Sequence, residues 1–321
     1  MGDEFAIPDE FALSTDATCL LMATPAPHGL APKWHKPLTA NATVWRYIKQ
    51  LPSAAENSEA ATVRLGRFVD FLEHPLDMIA RDAFEEVQQA QYEVLRAVGP
   101  RVPRAKLWNW IGDEHVPLSR TGLYAVILGM HQRAEDAAPL KQLFLDRKKY
   151  SRWVASYMAA YLMLTEETGL SFIDKAILAK RPAVATEPKP ETNSTLPFSY
   201  PAAAIGALRF MHEKEPNRIS KERIQQSLRL LLDRPDWADL AIVALTRMED
   251  WTLHGRLMAM YDLEEFNVHG TKRAIVHYLH YCSQPSGGET ASLRAEASRH
   301  LETLKVKDPQ GVRKAMRFMF R

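Results

Sequence analysis

The sequence has very little cysteine and no long apolar run. Cys19 and Cys282 lie far apart, so they fit neither a disulfide framework nor a cysteine-based metal motif. The longest apolar stretch, residues 156–164, is much shorter than the ~20 residues that cross a membrane. The first residues, 1–4, are acidic and lack the positive charge of a secretory signal. These absences predict a soluble chain with no membrane partner, cytoplasmic as written.

The sequence also lacks an excess of charge of one sign. Lysine and arginine number 41 and aspartate and glutamate 39, which gives a net charge of +2. A nearly balanced chain has no overall attraction for nucleic acid, so a nucleic-acid partner is not expected. The chain contains no G-x-x-x-x-G-K-[ST], G-x-S-x-G or Cys-x-x-Cys motif. The sequence therefore predicts no bound cofactor and favours a role other than catalysis.

The hydrophobic pattern separates a short N-terminal segment from a helical remainder. Residues 1–38 contain two β-tolerant runs broken by prolines, which favours short extended strands. From residue 39 onward, apolar residues recur at helical spacing. Residues 181–199 are rich in proline, threonine and glutamate without such a period, which predicts a linker. The predicted parts are therefore residues 1–38, 39–180 and 200–321, with the linker 181–199 between the two helical halves.

The helical part predicts a stack of hairpins. Roughly fourteen helices are joined by short polar turns, as in consecutive antiparallel helical hairpins. Three helices open alike, at Pro75, Pro235 and Pro309, each with an acidic neighbour and alanine in the middle. We therefore predict an all-α protein, a HEAT-like α-solenoid of antiparallel helical hairpins with a short N-terminal extended or β segment. A single compact bundle is the alternative, because no strict repeat period is present.

Several segments resemble an uncharacterised bacterial family of HEAT-like helical-repeat proteins. The motifs that carry the resemblance include FLEHP at residues 71–75, RTGLY at 120–124, LLDRP at 231–235 and KRAIV at 272–276. The resemblance covers about residues 39–282. It implies a helical-repeat fold, and an exported protein if this chain is N-terminally truncated. No activity and no site residues follow from it.

A histidine pair is the first candidate for chemistry. His277 and His280 lie three positions apart on a predicted helix, with Cys282 close behind. Two histidines at this spacing share a helix face and bind a transition metal if a further ligand joins them. No H-E-x-x-H pattern surrounds them, so structural histidines packed beside Tyr278 and Tyr281 are the simpler interpretation. The sequence assigns no catalytic, cofactor or metal residue, and a metal-dependent enzyme near His277 and His280 is the alternative function.

Two further groups are candidates with simple structural interpretations. Asp113, Glu114 and His115 follow Gly112 in a predicted turn, where polar residues are expected on solvation alone. Five tryptophans either belong to the core or line a protein-binding groove, and the core is the simpler interpretation. These tryptophans are Trp108, Trp110, Trp153, Trp237 and Trp251.

Basic residues gather in two places. The first group is Arg147, Lys148, Lys149 and Arg152, and the second is Lys305, Lys307, Arg313, Lys314, Arg317 and Arg321. In the last helix the basic residues fall opposite an apolar face that includes Val312 and Ala315. Such a helix either keeps the end of a repeat stack in solution or meets phosphate or an acidic partner. By fold analogy we predict a non-enzymatic helical-repeat scaffold for protein–protein interaction, whose partner is another protein.

Overall fold

Helices account for most of the structure. The computed structural model describes residues 19–26, 29–39, 42–52, 57–146, 153–179, 200–284 and 291–317. Fifteen α-helices lie in these ranges: α1 (Ala42–Lys49), α2 (Ser58–Val69), α3 (Asp77–Gln89), α4 (Tyr92–Val98), α5 (Arg104–Gly112), α6 (Leu118–Met130), α7 (Ala137–Leu145), α8 (Val154–Ile173), α9 (Tyr200–Lys214), α10 (Lys221–Arg229), α11 (Ala238–Arg247), α12 (His254–Asp262), α13 (His269–Ser283), α14 (Ala291–Lys307) and α15 (Pro309–Arg317). The predicted helical class is confirmed. None of these helices is both long and apolar enough to cross a membrane.

Two strands precede the helices. β1 (Cys19–Ala26) and β2 (Gly29–Thr39) pair in antiparallel fashion, with an irregular register between Leu20 and Met22. In a two-stranded sheet each strand keeps one open edge, which tolerates the missing N–H groups of proline. Residues 1–18 and the predicted linker 181–199 lie outside the described residues. A β module over residues 1–38 and a domain boundary at the linker therefore stay predictions.

The chain divides into two compact units, residues 1–101 and residues 102–321. In the first unit, α2 packs against α3 and α4. Phe68, Ile79 and Val87 are among the side chains that this packing buries. The amphipathic pattern of α2 and α3 accounts for the unit, because each helix turns its apolar side to the other.

In the second unit, five helices pack in series. Each of α6, α8, α9, α11 and α13 contacts the next, while α7, α10 and α12 each contact a member of this row. Tyr124, Tyr200 and Tyr278 are fully buried along it. Where α6 meets α8, a Cβ at Gly129 would stand 3.2 Å from the Cα of Ala160. Glycine therefore permits the close approach of these two apolar helices, and a side chain here would push them apart by a few tenths of an ångström.

The helix α8 continues past its predicted end. The sequence predicts a C-terminus at Gly169, but α8 runs to Ile173 and continues as a π-helix over Asp174–Leu178. That prediction is wrong because Gly169 is buried, and a Cβ there would collide with the Thr165 side chain. The glycine permits packing inside the helix instead of ending it. The backbone departs from helical geometry earlier, at Glu166, where φ is 50°.

Two helix starts show how local sequence sets the ends of the elements. The pattern of the sequence predicts Ser220 as the cap of α10, and its Oγ does accept a hydrogen bond from the Arg223 N–H at 3.1 Å. For α2 the sequence favours Ser58 as the cap, but Asn57 takes this role. The Asn57 Oδ1 accepts the Ala60 N–H at 2.8 Å, so Ser58 becomes the first helical residue. Asparagine caps as well as serine does, so the local pattern leaves the choice open.

Candidate functional site

The last four helices bring together most of the residues that the sequence singles out. α13 packs against α12, α14 and α15. It carries His277, His280 and Cys282, while the second basic group lies on α14 and α15. This part of the second unit is therefore the candidate site.

His277 fastens α15 to α13. Its side chain is 2% exposed, and its Nε2 lies 2.9 Å from the main-chain oxygen of Ala315. A carbonyl oxygen only accepts hydrogen bonds, so Nε2 carries the proton and donates it. Metal binding through Nε2 would require the loss of this hydrogen bond. The contact accordingly favours a structural role for His277.

The neighbours of His277 offer little to a metal ion. His280 is half-buried, with its ring 5.7 Å from the ring of Tyr281. Burial lowers the pKa of His280, and His277 and Lys305 lower it further. Cys282 is fully buried. No three His, Cys, Asp or Glu side chains gather as a ligand set in the described part of the chain. A metal-dependent enzyme near His277 and His280 therefore stays a prediction.

A second histidine pair, which the sequence does not signal, joins α12 to α14. His254 is buried, and its Nε2 lies 3.3 Å from Oε2 of Glu296. Its ring centroid is 5.5 Å from that of His300. Burial lowers the pKa of His300, and His254 is the next cause. Because the pair forms only when α12 packs on α14, no local spacing could reveal it.

Two members of the second basic group form ion pairs, and a third lies outside the described residues. Lys305 pairs with Glu302 at 2.7 Å, and Lys307 pairs with Asp262. Arg321 and the first basic group, residues 147–152, lie outside the described residues. The remaining three cations stand on α15.

Helix α15 is buried on one side and basic on the other. Val312 and Ala315 are buried, as the sequence predicts. Arg313, Lys314 and Arg317 are exposed and form no ion pair with any described residue. An unpaired surface cation keeps its full charge for interactions with other molecules. The fixed helix therefore presents a positive face.

A groove of about 480 Å³ lies beside α15. The end of α12, the start of α13 and the start of α15 form it, together with the turn between α12 and α13. We call it the basic groove, and its lining residues are Tyr261, Asn267, Gly270, Lys272, Arg273, Asp308, Gln310, Gly311, Lys314 and Ala315.

Both carboxylate oxygens of Asp308 already accept hydrogen bonds. The Tyr261 hydroxyl donates to Oδ2 at 2.8 Å, and the Gly311 N–H donates to Oδ1 at 2.8 Å. Burial raises the pKa of Tyr261, and its hydrogen bond to Asp308 raises it further. The Lys272 Nζ lies 4.9 Å from the Tyr261 ring centroid, a cation–π contact. Asp308 therefore closes the start of α15, and cations dominate the rest of the groove.

Asp113, Glu114 and His115, which follow α5, make the local contacts of an ordinary turn. Asp113 Oδ1 accepts the His115 N–H at 2.9 Å and lies 3.0 Å from Nδ1 of the same residue. The backbone hydrogen bond is the main reason why the pKa of Asp113 is lowered. Glu114 and both other residues are exposed. These contacts match the local hydrogen bonding of turn aspartates, which is the simpler interpretation.

The tryptophans make core contacts. Trp237 and Trp251 are buried, and Trp251 lies edge-on to Tyr278 with ring centroids 5.4 Å apart. The Trp108 Nε1 donates to the buried Asp136 at 2.8 Å. The half-buried members of the group are Trp108, Trp110 and Trp153. These contacts favour the core interpretation over an aromatic docking groove.

Comparison with known proteins adds no identity. No protein-family model, no curated protein and no solved structure matches the chain. The resemblance to HEAT-like helical-repeat proteins therefore stays a prediction. Any function has to be argued from the geometry of the candidate site.

The groove has a partial signal in the sequence. Lys272 and Arg273 follow Gly270 at the start of a helix, and Lys314 belongs to the basic group that the sequence identifies. Their convergence depends on the contact between α13 and α15. Tyr261 and Asp308, which shape the groove, are 47 positions apart and carry no mutual pattern. Only the folded chain brings these residues together.

Proposed function

We propose that the chain is a non-enzymatic helical-repeat scaffold that binds an acidic segment of a partner protein at the basic groove. The charge of the groove carries this proposal. Lys272, Arg273 and Lys314 line it, whereas Asp308 is the single carboxylate among the described lining residues. Complementary charge steers an acidic segment to such a surface and fixes its position there.

The charge of the surface around the groove also favours an acidic segment as the partner. Arg313 and Arg317 stand on the exposed side of α15, beside Lys314. They extend the positive charge beyond the groove over about one helical turn, so more than one acidic side chain of a segment finds a cation there. Because the helix is fixed through Val312 and Ala315, the backbone that carries these cations is ordered before a partner arrives.

The serial packing of helices supports the scaffold part of the proposal. Five helices of the second unit each contact the next. Stacked helical hairpins expose long faces on which other proteins dock. This support is an analogy at the level of the fold, and the groove supplies the specific argument.

Binding of a labelled glutamate-rich peptide to the full chain, followed by fluorescence anisotropy, tests the proposal. The double variant Lys272→Glu/Lys314→Glu should bind the peptide at least about tenfold more weakly, because like charges then face each other. Affinity for the original chain should also fall as salt is added. A lysine-rich peptide of the same length should not bind.

The control variant is Lys214→Glu, which makes one of the same charge changes on an exposed lysine at the end of α9. It should bind the acidic peptide as the original chain does. If the groove variant and the control weaken binding equally, net charge alone explains the effect and the proposal is wrong. Absence of binding to the original chain would also refute it.

A further inference from the structure

The turn between α12 and α13 exposes large apolar side chains. Leu263 is 48% exposed and Val268 is 52% exposed, although the large apolar residues in the described part of the chain are mostly buried. Phe266, which lies between them, is buried and anchors the turn to the core. Exposed apolar surface gains free energy when another molecule covers it. The turn is therefore a candidate contact surface.

The same turn carries unpaired negative charge. Glu264 and Glu265 are exposed, and neither forms an ion pair with any residue that the structure describes. Asp262, just before the turn, is already paired with Lys307. We call residues 263–268 the acidic turn. It combines two unpaired carboxylates with two exposed apolar side chains.

The acidic turn and α15 both border the basic groove. Asn267 of the turn lines the groove together with Lys314 and Ala315 of α15. On α15, Arg313, Lys314 and Arg317 are exposed and have no ion-pair partner among the described residues. The carboxylates of the turn and the cations of α15 thus stay apart within one molecule, although they border the same groove. Both remain available to another molecule.

A surface that carries both signs of charge is complementary to a copy of itself. In a two-fold dimer every contact occurs twice, so the acidic turn of each copy meets α15 of the other. The carboxylates of each turn then face cations of the opposite helix. Leu263 and Val268 supply the apolar part that such interfaces bury, and the charged residues supply the polar rim.

We infer that the acidic turn of a second copy docks against α15 and the basic groove, so that the protein forms a symmetric dimer. The inference rests on the cations of the proposed function, and it names a second copy as their occupant when no acidic partner is bound. The second copy and an acidic partner segment compete for Lys272 and Lys314. Binding of a partner segment therefore separates the dimer.

Sedimentation velocity of the full chain at increasing protein concentration tests the dimer. The original chain should reach twice the mass of one copy, and added salt should shift it towards the monomer. Glu264→Lys/Glu265→Lys and Lys272→Glu/Lys314→Glu should each weaken the dimer at least about tenfold, because like charges then meet. An equal mixture of these two variants should dimerise again, because both contacts of the mixed dimer then join opposite charges.

Two matched controls separate docking from net charge and from folding. Glu85→Lys/Glu93→Lys reverses two exposed carboxylates of the first unit and should leave the dimer unchanged. Val268→Ser should weaken the dimer, whereas Val306→Ser, at a residue 85% exposed on α14, should not. Val268 is the N-cap residue of α13, where serine is favoured, so the melting temperature of this variant should not fall.

The outcomes separate this inference from the proposed function. If the chain stays monomeric while the glutamate-rich peptide binds, the inference is wrong and the acidic-segment proposal stands. A dimer that persists in both charge variants, or that binds the peptide without dissociating, also overturns the inference. If the chain dimerises and no peptide binds, the proposed function fails. Recovery of the dimer in the mixture of variants then supports the inference alone.

Discussion

The guanidinium of Arg218 donates a hydrogen bond to the main-chain carbonyl of Met163 at 2.8 Å. Met163 lies three residues before Glu166, where the backbone of α8 departs from helical dihedral angles. The Nε of the same guanidinium donates to Glu215 Oε2 at 2.7 Å, and the Glu215 side chain is only 3% exposed. One arginine therefore satisfies a carbonyl of α8 and a buried carboxylate together.

Replacing Arg218 by alanine should destabilise the protein strongly. The change removes the cation from a buried pair, which costs about 3–5 kcal/mol in unfolding free energy. Arg209→Ala is the matched control, because Arg209 faces Glu213 at 3.8 Å on the exposed side of α9. An exposed pair contributes at most about 1 kcal/mol. Urea unfolding followed by circular dichroism gives the unfolding free energy of each variant. Equal decreases in the two variants would contradict the assigned role of Arg218.

Asp136 should be equally sensitive. Its carboxylate is fully buried and accepts hydrogen bonds from Arg104 and from Trp108 Nε1. Asp136→Ala should lower the unfolding free energy by about 3 kcal/mol or more, because both donors lose their acceptor. Glu135→Ala is the control, since Glu135 lies 3.9 Å from the same guanidinium and is 63% exposed. Its replacement should change stability by less than about 1 kcal/mol. A large loss in the control would show that charge near Arg104, rather than burial, matters.

A matched pair of valines tests the docking of α15. Val312 is 3% exposed on the inner face of α15, whereas Val306 at the end of α14 is 85% exposed. Val312→Asp should cost several kcal/mol, about 3 or more, because it buries a charge without a partner. Val306→Asp should stay within about 0.5 kcal/mol of the original chain. Thermal melts separate the two, and similar melting temperatures would mean that α15 is not part of the core.

The helices α15 and α8 differ in how much of their structure the sequence predicts. Alternation of apolar and basic residues at helical spacing is enough to place Val312 and Ala315 inward, and the Ser220 cap is a local pattern as well. Such signals lie within a few residues of the chain. The interior of α8 depends on a distant residue, because Arg218 reaches the Met163 carbonyl from the turn after α9. A contact over 55 positions leaves no trace in a local window.

The candidate site divides in the same way. The basic character of α15 is readable from the sequence, but the groove needs Lys272 and Tyr261, which other helices supply. The histidine pair has the spacing of metal ligands, yet His277 donates its Nε2 proton to Ala315. That hydrogen bond depends on tertiary packing, so the pattern alone could not distinguish the two roles.

Stability should fall as the pH drops below about 6.5, the ordinary pKa of histidine. Burial lowers the pKa of both His280 and His300 in the folded chain. The unfolded chain therefore binds protons first as the pH falls, and stability is lost between the ordinary pKa and the lower folded value. His280→Gln and His300→Gln should each reduce the fall in melting temperature between pH 7.5 and pH 5.5. His115→Gln, at a residue 96% exposed, serves as the control, and an equal flattening there would contradict the assignment.

Metal analysis decides the alternative function. We expect the purified chain to hold far less than one zinc or iron per molecule, unchanged in the double variant His277→Gln/His280→Gln. Glutamine at position 277 still has an N–H donor for the Ala315 carbonyl, so the variant should fold. Stoichiometric metal in the original chain and its loss in the variant would instead favour a metal-dependent enzyme.

The irregular backbone at Glu166 also divides the macrodipole of α8. The part that starts at Val154 ends near Thr165 with its own negative end, equivalent to about half an elementary charge. Arg218 stands at that end as a counter-charge. The following part begins with a positive end, next to Glu166 and Glu167, where acidic side chains are favoured. A stretch that reads as the middle of one long helix is therefore electrostatically the end of one helix and the start of another.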